Sequence, residues 1–254
     1  MKKIALVTGA SSGIGKSCVE IFAKNGINVI AVARRLERLI ELKENMENTY
    51  DIKLLPVQLD VTNKTAVSDY LANLPEDWRD VEILINNAGL SRGLDKLQDG
   101  NIDDWEEMID VNIKGLLYVT KAILPNMVKR NSGTVVNLSS IAGHETYIGG
   151  NVYCATKAAV LQLSKAMRMD VLGHNIRVIS IDPGMVETEF SIVRFHGDKE
   201  KADKVYEDIT PLTPDDVANA VYFTVSLPQH VTIEDMVIMP TQQASATLNI
   251  KNYK

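Results

Sequence analysis

The chain has 254 residues, 45% of them hydrophobic and 24% charged, and a formal net charge of −6 at pH 7. That balance suits a globular protein of one large α/β domain or two small ones, and the acidic surplus argues against nucleic acid or anionic membrane as a partner held by bulk charge. Two cysteines, Cys18 and Cys154, are too few and too distant for a disulfide framework or a metal site, so a reducing cytoplasm is the expected compartment.

The apolar run after Lys2-Lys3 stops at Thr8-Gly9, short of the ~7–15 residues of a secretory h-region. No stretch approaches the ~20 apolar residues of a membrane span. Short β-branched runs recur at residues 4–7, 28–32, 53–58, 83–85, 134–138 and 177–181, and a last run at 236–239 adds an edge strand. Between them lie amphipathic patterns at 15–25, 35–45, 64–74, 105–129 and 153–172. This alternation predicts one doubly wound α/β domain over residues 1–254, with a parallel sheet and helices on both faces. Ligands of such folds bind at the carboxyl ends of the strands, so the residues after each run carry the functional reading.

After the first run comes Thr8-Gly9-Ala10-Ser11-Ser12-Gly13-Ile14-Gly15, opening a helix. Glycines allow a tight turn and close backbone approach, and a helix N-terminus offers free N–H groups to a pyrophosphate. The spacing is G-x-x-x-G-x-G, and no G-K-[ST] follows as a nucleotide phosphoryl-transfer loop requires. After the second run, Arg34 and Arg35 stand where NAD sites place a carboxylate. Guanidinium groups bind a 2′-phosphate bidentately, which argues for NADP. After the third, Asp60-Val61 offers a carboxylate for an adenine amino group or for capping the helix that starts near Thr62. After the fourth, Asn86-Asn87-Ala88-Gly89 can tie strand ends together or contact a ribose, the structural role being favoured for Asn86.

Asn112 is a polar amide on an otherwise apolar helical face and needs a partner, which a distorted helix or a bound water would supply. After the fifth run come Ser139 and Ser140, then Tyr153 and Lys157 one helical turn apart on one face. A phenol ordinarily titrates near ~10, and a neighbouring ammonium is expected to lower that toward the working range. After the sixth run, the turn at Pro183-Gly184 leads through Val186 to Thr188, placed to cover a nicotinamide and hydrogen-bond its carboxamide.

In this order and at these separations, the segments resemble the short-chain dehydrogenase/reductase family across essentially the whole chain. Thr8-Gly9-x-x-x-Gly13-x-Gly15, Asn86-Asn87-Ala88-Gly89, Asn112, Ser140, Tyr153-x-x-x-Lys157 and Pro183-Gly184 carry the likeness. The resemblance implies a Rossmann-type sheet of about seven strands, a cytoplasmic homotetramer, and a catalytic tetrad. In it Tyr153 is the acid/base and Ser140 holds the substrate oxygen. Lys157 binds the nicotinamide ribose and lowers the Tyr pKa, and Asn112 holds a relay water; Ser139 is then structural. The segments at 74–78, 149–153, 188–195 and 197–198 further resemble the NADP-dependent 3-hydroxy acid dehydrogenases. That branch implies oxidation of serine, L-allo-threonine or 3-hydroxypropionate, or reduction of the matching 3-oxo acid, malonic semialdehyde included. The chain departs from the branch at 90–93 and 144–147, which flank the expected pocket.

A small acid needs a cationic partner for its carboxylate, and Arg194, in an apolar context after the Pro183-Gly184 turn, is the candidate. Residues 190–214 mix charge with few apolar anchors and read as a substrate lid over the cofactor. The four histidines share no ligand spacing, so no metal is expected. The polar stretch from Met239 to Lys254 is expected on a neighbouring subunit or without fixed structure. The rival readings are an NADP-binding regulator without turnover, opposed by the full tetrad, and a reductase of sugars, steroids or other small or bulky ketones and alcohols, whose steroid form Arg194 opposes.

Overall fold

A computed structural model describes residues 2–251. The apolar runs form β1 (Ile4–Thr8), β2 (Asn28–Ala33), β3 (Leu54–Gln58), β4 (Val81–Asn86), β5 (Gly133–Leu138), β6 (Ile176–Pro183) and β7 (Asp235–Ile238). They make one sheet in the order β3-β2-β1-β4-β5-β6-β7, with every neighbouring pair parallel.

These runs are continuously apolar because helices cover both faces. Successive strand residues point to opposite sides. Leu6, Ile30, Leu84, Val135 and Val178 face one core with α3 (Lys64–Leu71), α5 (Leu116–Arg130) and α6 (Asn151–Asp170). Their neighbours Val7, Ala31, Ile85, Val136 and Ile179 face the other, with α1 (Gly13–Lys24), α2 (Leu36–Thr49) and α9 (Pro214–Ser226). Phe22 of α1 is wholly buried there against Tyr222 of α9, and its truncation to Ala would cost ~3–5 kcal/mol. The chain leaves β1 for β2 and β3 on one side and returns to β4 on the other. This reversal opens a crevice at the carboxyl ends of β1 and β4.

One expectation is corrected, and two further segments gain local structure. The pattern over 105–129 is not one regular helix: α4 (Ile102–Ile109) runs through a π-helical segment, Asp110–Gly115, into α5. One extra residue per turn rotates the start of α5 relative to α4 and turns Asn112 inward. Residues 190–214 hold two short helices, α7 (Phe190–Arg194) and α8 (Lys199–Lys204), and α9, unforeseen, begins at Pro214. Pro214 is its first residue, and Thr213 with Asp216 forms a reciprocal capping box, a start signal present in the sequence. The polar stretch from Met239 packs on its own chain. Gln242 accepts from Thr210 N–H at 2.7 Å, and Gln243 accepts from Met185 N–H at 2.8 Å. Residues 252–254 of that stretch lie outside the described residues.

Candidate active site

A cleft of about 380 Å³ runs across the carboxyl ends of β1, β2, β4, β5 and β6. Its first wall is the glycine-rich turn, with Gly9, Ser11, Ser12, Gly13 and Ile14 all lining it. Gly9 is left-handed at φ +67°, and a Cβ on Gly15 would lie 2.3 Å from the Gly9 carbonyl oxygen, so neither position admits a side chain. Ser12 precedes α1 in extended conformation without capping it through its side chain. The first N–H groups of α1 therefore face the cleft without a side-chain cap. This cradle fits a dinucleotide pyrophosphate.

Beyond the turn lie Arg34 and Arg35 at the end of β2. Arg35 donates from Nε and Nη2 to the hydroxyls of Ser11 and Ser12 at 2.8–3.2 Å, and from Nη1 to Glu189 at 3.0 Å. Arg34 is exposed at the cleft mouth. Asp60 and Val61 line the cleft as well. Asp60 accepts from the backbone and hydroxyl of Thr62, while Asn63 caps α3, so capping by Asp60 is corrected to a local turn. Asn87 lines the cleft and donates to the Thr8 carbonyl at 2.9 Å, binding the end of β4 to the glycine-rich turn. Asn86 is structural, donating to Thr120 and Asn137 inside the core.

At the other end the structure brings Ser140, Tyr153 and Lys157 together. Ser140 stands at the end of β5 and donates to the Pro183 carbonyl at 3.3 Å, while its oxygen accepts from Ala142 N–H. Ser139 also lines the cleft, but its hydroxyl is committed to the Lys157 carbonyl at 2.8 Å. Lys157 Nζ donates to the Leu138 carbonyl at 2.8 Å and lies 5.8 Å from the Tyr153 ring centroid. Burial pulls its pKa down to about 8, against the nearby carboxylate of Asp182. Burial, reinforced by Tyr147, pushes the Tyr153 phenol well above its ordinary value; Arg194 and a hydrogen bond with Ser140 pull the other way. Arg194 and Ser140 are thus the groups seen to oppose that rise, while Lys157 Nζ flanks the ring and keeps further N–H donors beyond the one given to Leu138.

Asn112 finds its partner in the loop after β4. It accepts from Leu90 N–H and donates to the Leu90 carbonyl, both at 2.8 Å, and donates to Thr156 at 3.0 Å. Thr156 in turn donates to the Tyr153 carbonyl. Asn112 therefore braces α6 against the loop that holds Gly89, whose missing Cβ leaves room between Asn112 and Lys157 Nζ.

Pro183, Gly184, Val186 and Thr188 form the far wall, and Phe190 and Val193 of α7 roof it. Arg194 stacks behind them, its guanidinium carbon 5.4 Å from the Tyr153 ring and 5.1 Å from that of Phe190. It donates to the Tyr147 hydroxyl at 3.3 Å, and its buried Nε has no hydrogen-bond partner among the described residues. Sequence reasoning placed Tyr147 and Phe190 only within segments flanking or covering the pocket, and it missed Glu189, which carries no signal beyond lying beside Thr188. It also missed a second cluster: His144 Nε2 meets buried Asp182 at 2.8 Å and Asp235 at 3.8 Å, and Ser180 donates to Asp182 at 2.6 Å. Burial and the neighbouring Asp235 raise the Asp182 pKa to about 7.

A family model described as short chain dehydrogenase matches residues 3–199. The chain belongs to the short-chain dehydrogenase family. This short-chain dehydrogenase is 48% identical over 248 residues to the NADP-dependent 3-hydroxy acid dehydrogenase YdfG of Salmonella typhi, covering 97% of this chain and 98% of the relative. It is 44% identical to an NADP-dependent 3-hydroxy acid dehydrogenase of Schizosaccharomyces pombe, covering 96% and 95%. Its fold matches the closed form of a serine dehydrogenase complexed with NADP+ at TM-score 0.91 and 47% identity, covering 97% and 98% of the two chains.

Proposed function

We propose that this short-chain dehydrogenase is an NADP-dependent oxidoreductase of small 3-hydroxy acids and their 3-oxo counterparts, of the serine, L-allo-threonine or 3-hydroxypropionate type. The observation that carries the substrate class is Arg194. A cation with a buried, unpartnered Nε lies against the ring of Tyr153, where a carboxylate two carbons from the reacting oxygen would be recognised. A buried donor left without a partner costs about 1–3 kcal/mol, and an anionic substrate would satisfy it.

NADP, when bound, supplies or receives the hydride at the substrate carbon. In this reading Gly9, Ser11, Ser12, Gly13 and Ile14 cradle the pyrophosphate. Arg34 and Arg35 take the 2′-phosphate, Asp60 and Val61 flank the adenine, and Asn87, Pro183, Gly184, Val186 and Thr188 hold the nicotinamide half. Tyr153 gives its proton to the substrate oxygen during reduction and takes it back during oxidation. Ser140 donates to that oxygen as its charge develops. Lys157 donates to the nicotinamide ribose, and Asn112 holds the frame through which the proton is replaced. Residues 190–214 close over the cleft and exclude water.

The same reading carries a cytoplasmic homotetramer. Exposed apolar side chains such as Ile102, Leu117 and Phe223 support assembly, and no helix of the described residues is long and apolar enough to cross a membrane.

The test is NADP reduction followed by absorbance across a panel of hydroxy acids, polyols and neutral secondary alcohols. Turnover of 3-hydroxy acids is expected; activity with neutral alcohols alone would overturn the substrate class. Equal or better use of NAD would overturn the assignment of Arg34 and Arg35.

A further inference from the structure

One carboxylate sits where the NADP reading needs only cations. Glu189 follows Thr188 and stands at the N-terminal cap of α7, the helix that roofs the cleft. Its Oε2 accepts from Arg35 Nη1 at 3.0 Å and its Oε1 from Arg38 Nη1 at 2.8 Å. The two arginines come from the cap and first turn of α2 and the carboxylate from the cap of α7 about 150 residues later, so the fold makes this junction. The remaining donors of Arg35 that the structure pairs are already turned to Ser11 and Ser12. Nη1 is therefore the edge of Arg35 that Glu189 holds at the cleft mouth, and Glu189 itself lines the cleft. Partial burial pushes the Glu189 carboxyl up, but Arg38 and Arg35 together outweigh it and hold the carboxyl below its ordinary range, so it is ionised at neutral pH.

A 2′-phosphate carries about −1.5 to −2 charges at neutral pH. Bound to Arg35 beside Glu189, it would meet a like charge on the same guanidinium. Either the carboxylate is displaced, forfeiting two ion pairs, or both anions share the cations and repel.

We propose that Glu189 is an internal competitor for the 2′-phosphate of the cofactor, occupying Arg35 and Arg38 and thereby limiting both the affinity for NADP and the preference for NADP over NAD. The proposal rests on the assignment of Arg34 and Arg35 to the 2′-phosphate. Cofactors without that phosphate do not meet the competition, because their 2′-hydroxyl carries no charge to repel. Glu189 is a specificity determinant with the sign opposite to its arginine neighbours: removing it strengthens NADP binding.

The test is calorimetric titration of wild type, E189Q and E189A with 2′,5′-ADP and with 5′-AMP at low ionic strength. Glu189 is nearly half exposed, its side chain 43% accessible, so both variants are expected to fold, which circular dichroism checks. Both should bind 2′,5′-ADP about fivefold tighter than wild type, the size expected when one partly exposed charge is removed, with 5′-AMP unchanged. Unchanged or weaker binding of 2′,5′-ADP overturns the proposal, as does an equal gain for both nucleotides. If neither wild type nor E189Q binds 2′,5′-ADP better than 5′-AMP, the arginine assignment itself fails and the proposal falls with it. A preference for 2′,5′-ADP that is the same in wild type and E189Q keeps the arginine assignment and overturns only the role of Glu189.

Discussion

The guanidinium of Arg194 lies over the ring of Tyr153, 5.4 Å from its centroid. The phenol proposed as acid/base and the cation proposed for the substrate carboxylate thus lie together, brought there by α6 and α7 from segments some forty residues apart. Replacing Arg194 with Met keeps the apolar stem and removes the charge. The KM for a 3-hydroxy acid should rise about 30- to 100-fold, equivalent to losing a charge-assisted hydrogen bond of about 2–3 kcal/mol. Turnover of a neutral alcohol of similar size should change by less than about threefold. A parallel loss on both substrates would assign Arg194 to packing alone.

Tyr153→Phe removes the hydroxyl proposed to transfer the proton and little else. Steady-state kcat should fall by about 10²–10⁴, while fluorescence titration shows NADPH affinity within about twofold of wild type. Retained turnover would take proton transfer away from Tyr153.

Lys157 titrates in the folded protein at about 8, below its ordinary 10.5. Its ammonium is present below that value and is lost as pH rises through it. NADPH affinity measured from pH 7 to 9.5 should therefore weaken above about pH 8, and Lys157→Met should bind weakly across the whole range. A wild-type curve flat through this window would remove the ribose contact.

Asp182 is raised from 3.8 to about 7 by burial and by Asp235. Between those values the folded state holds a proton that the unfolded chain has released. Stability from this group is therefore greatest at low pH and declines as pH climbs from about 4 to 7. Asp182→Asn abolishes that titration while keeping a partner for His144. Its stability relative to wild type, by urea denaturation, should be more favourable at pH 8 than at pH 5. The reverse trend would mean that the charged pair with His144 is what the folded state favours.

Much of this molecule is legible from residue types alone. Runs such as Leu6-Val7 and Val135-Val136 are apolar on both sides of a strand, which only a covered parallel sheet explains, and all seven strands form where such runs lie. The glycine spacing, the Arg34-Arg35 pair and Ser139-Ser140 mark the cleft because each sits directly after a strand, and the Tyr153/Lys157 turn follows on the next long helix. The π-helical segment around Asn112 is not readable as such, because one inserted residue barely disturbs a period of 3.6 over two turns. The amide on an apolar face is its only trace. The start signal of α9, Thr213-Pro214-x-Asp216, is masked by the charge of the preceding segment. The His144, Asp182 and Asp235 cluster and the grip of Glu189 on Arg35 leave no trace, because their members are separated by dozens of residues or more and meet only through sheet order.

The turn at Pro183-Gly184 is held from outside by Gln243, whose side-chain oxygen accepts the Met185 N–H from 58 positions further along. A Cβ on Gly184 would come within 2.4 Å of that same oxygen, so the fit is tight. During synthesis the turn emerges from the ribosome long before the glutamine that closes it. The Pro183-Gly184 end of the cleft therefore has this fastening only once those 58 residues have been added, and a chain halted before Gln243 would lack the bond to Met185.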